Sequence, residues 1–533
     1  MTALSARGNI SDQAKRDPGM SLQILSDEDL NRIHEASLTV LEEYGIDFKN
    51  CQGAISILQN HGCVVRDGRV RFPKSLVKDA LTQIPNRDSL FHFVPHLAFD
   101  EEISFKRGES HFGLIGNAYY IYDYEKGRSR DCRESDQEDK LLVMDSLCDM
   151  EFDCCNLFYH SERSGTGDAR ISGSEGTAVD YLRRWVQSRV GLDPAKLPAA
   201  HPRVTEEQKR LAFLGLAILE GSHERMQGIL EKSDNAFSWC NPISPLQFHP
   251  DEARHIIDVA RSAKRYRMVK ISPEVMMGAT GPVTIAGTLV QHNCEVLAGT
   301  VLAQLAQAGT PVMYGCVSAP MDLRNAEISQ GNFETAMINA AAVQIADLYG
   351  MPSRISPGNT SDNKPCERAA VETAIGIYMG AASGGNFITT ALLDSTLMVS
   401  YEHLVVVDEL VRQVRSITKD LETDAESLAI ETILANGHPS PDFLQSNHTL
   451  KLMNRDIYYS PFTGRIKESY QDWYERAHQR VTEILSRKRL EITGNPEIAE
   501  RLRFVEARLK QNDKKWRNDG AGWWRFYIED FCA

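Results

Sequence analysis

The chain has 533 residues, a formal net charge of −14, and 42% hydrophobic and 25% charged residues, an ordinary globular balance. The acidic excess argues against a nucleic-acid backbone as the main partner, and no stretch reaches the roughly 18 consecutive apolar residues that a membrane span needs. Eleven cysteines without any CxxC pair point to reduced thiols rather than to a disulfide framework.

The opening "MTALSARGNISDQAKRDPGM" is polar and lacks the apolar core of a signal peptide, so 1–24 reads as a mobile arm of a cytoplasmic protein. Residues 25–135 read as an accessory layer of helices and short strands. "SDEDLNRIHEASLTVLEEYG" opens with capping and acidic residues, repeats Ile33, Val40, Leu41 and Tyr44, and stops at Gly45. A second short helix ends at "NHG", and "PKSLVKDALTQIP" makes a third between Pro73 and Pro85. From 88 to 125, "SLFHFV", "ISFKRG" and "AYYIYD" alternate as short strands do. Cys148, Cys154, Cys155 and His160 are the nearest approach to a metal cluster, but their spacing fits no zinc pattern, so no metal is expected.

Around 160–222 the sequence is rich in Pro and Ala and reads as an insertion. After it, strands and helices alternate. "AFSWC", "MVKIS", "TPVMYGCV", "MPSRIS" and "NFITTALL" are strands, and "GPVTIAGTLVQHNCEVLAGTVLAQLAQAG", running from Pro282 to Gly309, is the longest helix between them. Strand starts about 35 to 42 residues apart match βα units with full crossover helices. The expectation is an α/β fold in which 136–420 forms a TIM (β/α)8 barrel, followed over 421–533 by a helical extension with an aromatic tail, "GAGWWRFYIEDF". That tail suits a docking or dimer contact, so a homo-oligomer is expected. No GxGxxG follows a strand, which weakens an open dinucleotide-binding sheet.

In a parallel barrel the chemistry sits at the C-terminal strand ends. "GATGP", with Gly278 and Gly281, precedes a helix start, where either an anion docks on free N–H groups or the glycines only make a tight turn. "PGNTSDNKP" concentrates Asn359, Asp362 and Lys364 after a strand, as a polar turn or as a pocket floor. Tyr314 faces either a ligand or a neighbouring helix, and packing is the commoner fate of a lone tyrosine. Trp239 is a core residue or part of a cation-binding wall, and His448 in "FLQSNHTLK" reads as structural.

The blocks "GATGPVTIAGTLVQHNCEVLAGTVLAQLAQAGTPVMYG" and "IADLYGMPSRISPGNTSDNK" resemble the trimethylamine methyltransferase superfamily of corrinoid-dependent methyltransferases. "LNRIHEASLTVLEEYGIDF", "RVRFPKSLVKDAL" and "FLQSNHTLK" are similar to it too, so the likeness runs from about 25 to 490, with 160–222 and the tail after 515 as departures. The resemblance implies a TIM barrel that passes a methyl group from an amine to the cobalt of a separate corrinoid protein, with no corrinoid held tightly on this chain. Relatives that act on trimethylamine carry pyrrolysine, whose place, by distance from the C-terminus, falls in or near 356–368. Every residue here is one of the standard twenty.

A tertiary amine is a poor methyl donor, because an amide anion would have to leave. A quaternary ammonium such as glycine betaine leaves as a neutral amine and needs chiefly positioning and desolvation. The resemblance therefore implies a quaternary-amine substrate held against aromatic faces. Tyr159, Trp239, Tyr314 and Phe387 are the cage candidates, and Asn359, Asp362 and Lys364 the polar contacts. The 279–283 backbone, with Gly278 and Gly281, is the candidate seat of a substrate carboxylate, and no catalytic residue is assigned. Two other readings stand beside this one: a barrel enzyme acting on another small amine or acid, and a betaine-binding module without turnover.

Overall fold

The computed structural model describes residues 22–93, 102–144, 146–157, 159–160, 170–171, 235–262, 266–419, 421–436, 442–460 and 472–493. Most of the expected arm, most of the insertion and the aromatic tail lie outside the described residues.

Seven strands make the main sheet: β1 (His111–Ala118), β2 (Phe152–Leu157), β3 (Asn235–Cys240), β4 (Tyr266–Ile271), β5 (Val312–Cys316), β6 (Ser353–Gly358) and β7 (Phe387–Thr390). Their spatial order is β3-β4-β5-β6-β7-β1-β2, and every neighbouring pair is parallel. The strands therefore follow chain order while the last lies beside the first, so the sheet curls. β2 and β3 are not paired with each other among the described residues. β1 lies within 25–135, which the alternating pattern assigns to the accessory layer. Instead it carries the β7 edge of the sheet onward, and the main unit begins before 136.

The connecting helices are α4 (Glu134–Met144), α5 (Pro250–Arg261), α6 (Ile285–Ala306), α7 (Phe333–Leu348), α8 (Glu367–Ala382) and α9 (Tyr401–Thr418), preceded by α1 (Asp27–Glu43), α2 (Gln52–Asn60) and α3 (Lys74–Thr82). After α9 come α10 (Ala425–Leu428), α11 (Ile430–Asn436), α12 (Asn447–Asp456) and α13 (Trp473–Thr493).

α1 starts where its caps dictate. The Ser26 hydroxyl accepts from Asp29 N–H, and the Asp29 carboxylate accepts from Ser26 N–H, a reciprocal capping box. α6 starts at Ile285 rather than at Pro282, because Thr284 Oγ1 accepts from Gly287 N–H at 3.2 Å.

α6 lies on β4 and β5 and is roofed by α1, α2 and α3, so nearly every residue from Thr288 to Gln304 is buried. A helix wrapped on all sides has no polar face, which explains its Ala- and Gly-rich composition. A Cβ added at Gly299 would lie 2.6 Å from Ile271 Cδ1, so glycine is what lets the helix seat on the strand.

One polar bolt runs through this packing. Asn293 Nδ2 donates to Ser37 Oγ at 3.0 Å and to the Tyr349 hydroxyl at 2.8 Å, and the Tyr314 hydroxyl donates to Asn293 Oδ1 at 3.3 Å. Strand, helix and accessory layer thus share one hydrogen-bonded hub. Residues 22–25, at the end of the expected arm, are tied down as well. Leu22 N–H donates to Ala382 O, and Gln344 Oε1 accepts from the N–H groups of Ile24 and Leu25.

Candidate functional site

Alternation along each strand sorts residues between the helix layer and the concave face of the sheet. Ile271 meets α6, which turns Lys270 to the concave face; Ile355 and Ile388 meet Gly380 of α8, which turns Arg354, Phe387 and Thr389 the same way. Gly315, Arg354 and Phe387 are register partners, as are Lys270 and Met313. Lys270 and Arg354 are 1% and 4% exposed, two cations carried deep inside a parallel sheet. Burial first pushes the Glu252 carboxyl, near the end of β3, up to about 7, and the positive charge of Lys270 acts to lower it.

Just beyond β4, Glu274 is solvent-accessible, yet burial still raises its carboxyl above the ordinary range, opposed by the Arg354 charge. Accessible and poorly hydrated together describe a group in a cleft. Beside it the buried Ser272 Oγ has no hydrogen-bond partner among the described residues and points across Gly315, where a Cβ would come within 1.6 Å of it. Glu274, Ser272, Lys270 and Arg354 all lie outside the sequence-derived candidates. For Lys270 and Arg354 the signal was a single charge inside each of the apolar strands "MVKIS" and "PSRIS", because buried strands do not carry charge without a use for it.

The loop over 356–368 is built into its surroundings. Ser361 Oγ accepts from Gly331 N–H at 3.1 Å, and Thr360 Oγ1 donates to Glu372 of α8. Asp362 Oδ2 takes Arg368 Nε at 2.7 Å, and its carbonyl accepts from Asp394 N–H at 2.7 Å. The β7 loop answers with three consecutive left-handed residues, Asp394, Ser395 and Thr396 at φ 50°, 49° and 81°. Each non-glycine residue in that region costs roughly 1–3 kcal/mol, so the loop is held by its neighbours. Ser395 N–H donates to Thr360 O, and Ser395 Oγ donates to Ile328 O at 2.7 Å. The loops after β5, β6 and β7 are therefore knotted into one rim.

The structure scatters the sequence-derived candidates. The Tyr314 ring lies on the helix side, fully buried against Asn293 and 5.4 Å from His292, where it cannot face a ligand on the concave side. Phe387 opens β7 instead of closing it, packed 5.4 Å from Phe105 at the N-terminal end, opposite the loops. Asp362 holds α8 to its loop, and Lys364 is exposed.

Asn359 is fully buried. Its Oδ1 accepts from Leu392 N–H, while its Nδ2 has no partner among the described residues. Gly278 adopts φ +91° in a turn where Met276 O accepts from the N–H groups of Ala279, Thr280 and Gly281. Those donors are used within the turn, Pro282 has none, and a Cβ at Gly281 would strike Val275 at 2.2 Å. "GATGP" is thus a tight turn and offers no anion seat over 279–282. The side chains of Tyr159 and Trp239 lie outside the described residues.

Among the described residues, no group of three His, Cys, Asp or Glu could hold a metal ion, and no helix is long and apolar enough to cross a membrane.

Comparison with known proteins bears on this geometry. Residues 4–147 and 216–511 match the family described as trimethylamine methyltransferase (MTTB). The chain is 28% identical over 501 residues to a glycine betaine methyltransferase of Desulfitobacterium hafniense (strain Y51), covering 92% of this chain and 97% of that one. It is 28% identical over 515 residues to trimethylamine methyltransferase MttB of Methanosarcina barkeri (strain Fusaro / DSM 804), covering 94% and 97%. Among solved structures it is similar to the Methanosarcina barkeri monomethylamine methyltransferase (MtmB), with a TM-score of 0.44, 12% identity, and coverage of 89% of this chain and 97% of that one. The match extends over most of the chain, and the chain belongs to the trimethylamine methyltransferase family.

Proposed function

We propose that this chain moves a methyl group from a carboxylate-bearing quaternary amine, a betaine, to the Co(I) of a separate corrinoid protein. The observation that carries the reading is the pairing of opposite charges on and just above the concave face: Lys270 and Arg354 in the strands, and Glu274 past the end of β4. A betaine has a complement for each pole in this arrangement. A simple methylammonium gains only from Glu274 and is repelled by the two cations.

The corrinoid supplies the nucleophile for an in-line displacement at the methyl carbon. As the carbon–nitrogen bond breaks, its electrons return to nitrogen and a neutral tertiary amine leaves, so no proton needs to move. The chain's own work is to orient and desolvate. Arg354 and Lys270 fix the carboxylate, and Glu274 holds the onium in a poorly hydrated cleft with its methyl groups toward the loop rim. We also take the curled sheet as seven positions of a (β/α)8 barrel, because strands in chain order with β7 beside β1 leave one gap, between β2 and β3.

Incubation with Co(I) cobalamin and separate donors tests the reading, with demethylated amine measured by mass spectrometry. Glycine betaine is expected to yield dimethylglycine, while tetramethylammonium and trimethylamine are left intact. Demethylation of trimethylamine or tetramethylammonium in preference to any betaine overturns it.

A further inference from the structure

Helix α6 holds the loops beyond the strand ends as well as the strands themselves. Glu295 accepts from Ser244 Oγ and Leu246 N–H in the loop after β3, and Gln291 Nε2 donates to Thr280 O in the turn after β4. Between them His292 is wholly buried, and its Nδ1 lies 2.9 Å from Ser318 Oγ in the loop after β5. Each of these polar side chains reaches a different loop.

Ser318, also wholly buried, stands against the backbone on both sides of Glu274. Its Oγ accepts from Val275 N–H at 2.9 Å and lies 3.4 Å from Pro273 O. The two main chains run alongside each other, Val317 N–H donating to Pro273 O at 3.2 Å and Ala319 N–H to Val275 O at 3.3 Å. Ser318 supplies a side-chain rung to this ladder, and Val275 is wholly buried, so its N–H would be costly to leave unmet. Burial keeps the His292 ring neutral, pushing it down to about 3 against the opposing effect of the Gly315 backbone. Where Nδ1 accepts, the Ser318 proton goes to the ring; where Nδ1 donates, that proton goes to Pro273 O. In both tautomers a Ser318 lone pair remains for Val275 N–H. His292 therefore fixes the hydroxyl and leaves the acceptor in place. The Glu274 side chain, in contrast, is accessible, and a carboxylate of that kind is placed only as well as the backbone that carries it.

We propose that Ser318, held by His292, is a positioning residue for Glu274, fixing the backbone from which the Glu274 carboxylate meets the cationic end of the substrate. The inference rests on the betaine reading above, in which Glu274 holds the onium. A shift of the carboxylate in a poorly hydrated cleft weakens its pull on the cation and leaves Lys270 and Arg354 as they were.

A pair of ligands isolates that contact. Glycine betaine and 3,3-dimethylbutanoate share a carboxylate and a shape, but the second has carbon where the first has its positive nitrogen. Calorimetry on the full chain gives the ratio of their dissociation constants for the wild type, E274Q, S318A and the double variant. The wild type is expected to prefer glycine betaine, and E274Q to lower that preference about tenfold or more. S318A is expected to lower it about fivefold with 3,3-dimethylbutanoate bound as before, and to add nothing in the E274Q background. A merely structural Ser318 weakens both ligands alike. That result, or an unchanged ratio in S318A, overturns the positioning role while E274Q still shows its loss. No preference in the wild type, or an unchanged ratio in E274Q, overturns the Glu274 reading and this inference with it. S318C puts a weak acceptor in nearly the same volume and is expected to repeat the S318A ratio, which keeps the test open if S318A fails to fold. A wild-type ratio in S318C overturns the proposal.

Discussion

The two faces of the parallel sheet use polar residues in opposite ways. On the helix side, Tyr314, Asn293, Tyr349 and Ser37 satisfy one another inside a dry layer, and their hydrogen bonds lock the accessory helices onto the strands. On the concave side, alternate residues of the same strands carry the buried Lys270 and Arg354, and Glu274, just beyond β4, stands accessible and poorly hydrated. Under the proposed function, adjacent residues of one strand serve cohesion and recognition separately. Damage to one face should leave the other intact.

The largest test of that division is Arg354→Met. Loss of a charge-assisted contact to substrate is worth about 1.5–3 kcal/mol, so kcat/KM for betaine demethylation is expected to fall by roughly 10- to 150-fold. The urea midpoint should change little; a collapse of the fold at unchanged activity per folded molecule would reverse the assignment of the two faces. Next is Asn293→Leu on the helix side. It leaves the Tyr314 and Tyr349 hydroxyls without their hub and should cost about 2–3 kcal/mol in urea unfolding, with KM unchanged.

The smallest effect is a slope. Burial pushes the Glu295 carboxyl on α6 up to about 7, while it accepts from Ser244 Oγ and Leu246 N–H at 2.8 Å each. Between the ordinary glutamate range and pH 7, the folded chain holds a proton that the unfolded chain has released. Stability therefore falls as pH rises through that window. Glu295→Gln should flatten the decline by up to about 1.4 kcal/mol per pH unit, read from urea midpoints between pH 5 and 8.

Much of the architecture was legible in the sequence, because helix caps, glycine stops and apolar strands mark elements in order. The sequence placed the long helix from Pro282 and the structure starts it at Ile285, a shift set by the Thr284 cap. The site was less legible, for a physical reason. A strand buried on both faces shows no apolar–polar alternation, so nothing in "TPVMYGCV" says which way Tyr314 turns. Phe387 is the second residue of "NFITTALL", so the sequence already put it at the N-terminal end of its strand, away from the loops, and the pairing agrees. "GATGP" has the composition of an anion loop, and only the backbone shows Met276 O already taking its donors. The readable clue was the opposite kind of residue, Lys270 and Arg354, whose charge is out of place in a buried strand.

The roofing of α6 bears on how the molecule can be cut or assembled. A helix with no wettable side cannot be left at a domain edge. Any fragment that begins at β1 strips away α1 to α3 and takes Ser37 from Val290, Asn293 and Cys294 of α6, half of the Asn293 hub among them. The helices between Asp27 and Thr82 are therefore an outer wall of the sheet unit rather than an appendage, and expression boundaries or chimeras drawn after them divide a single cooperative body.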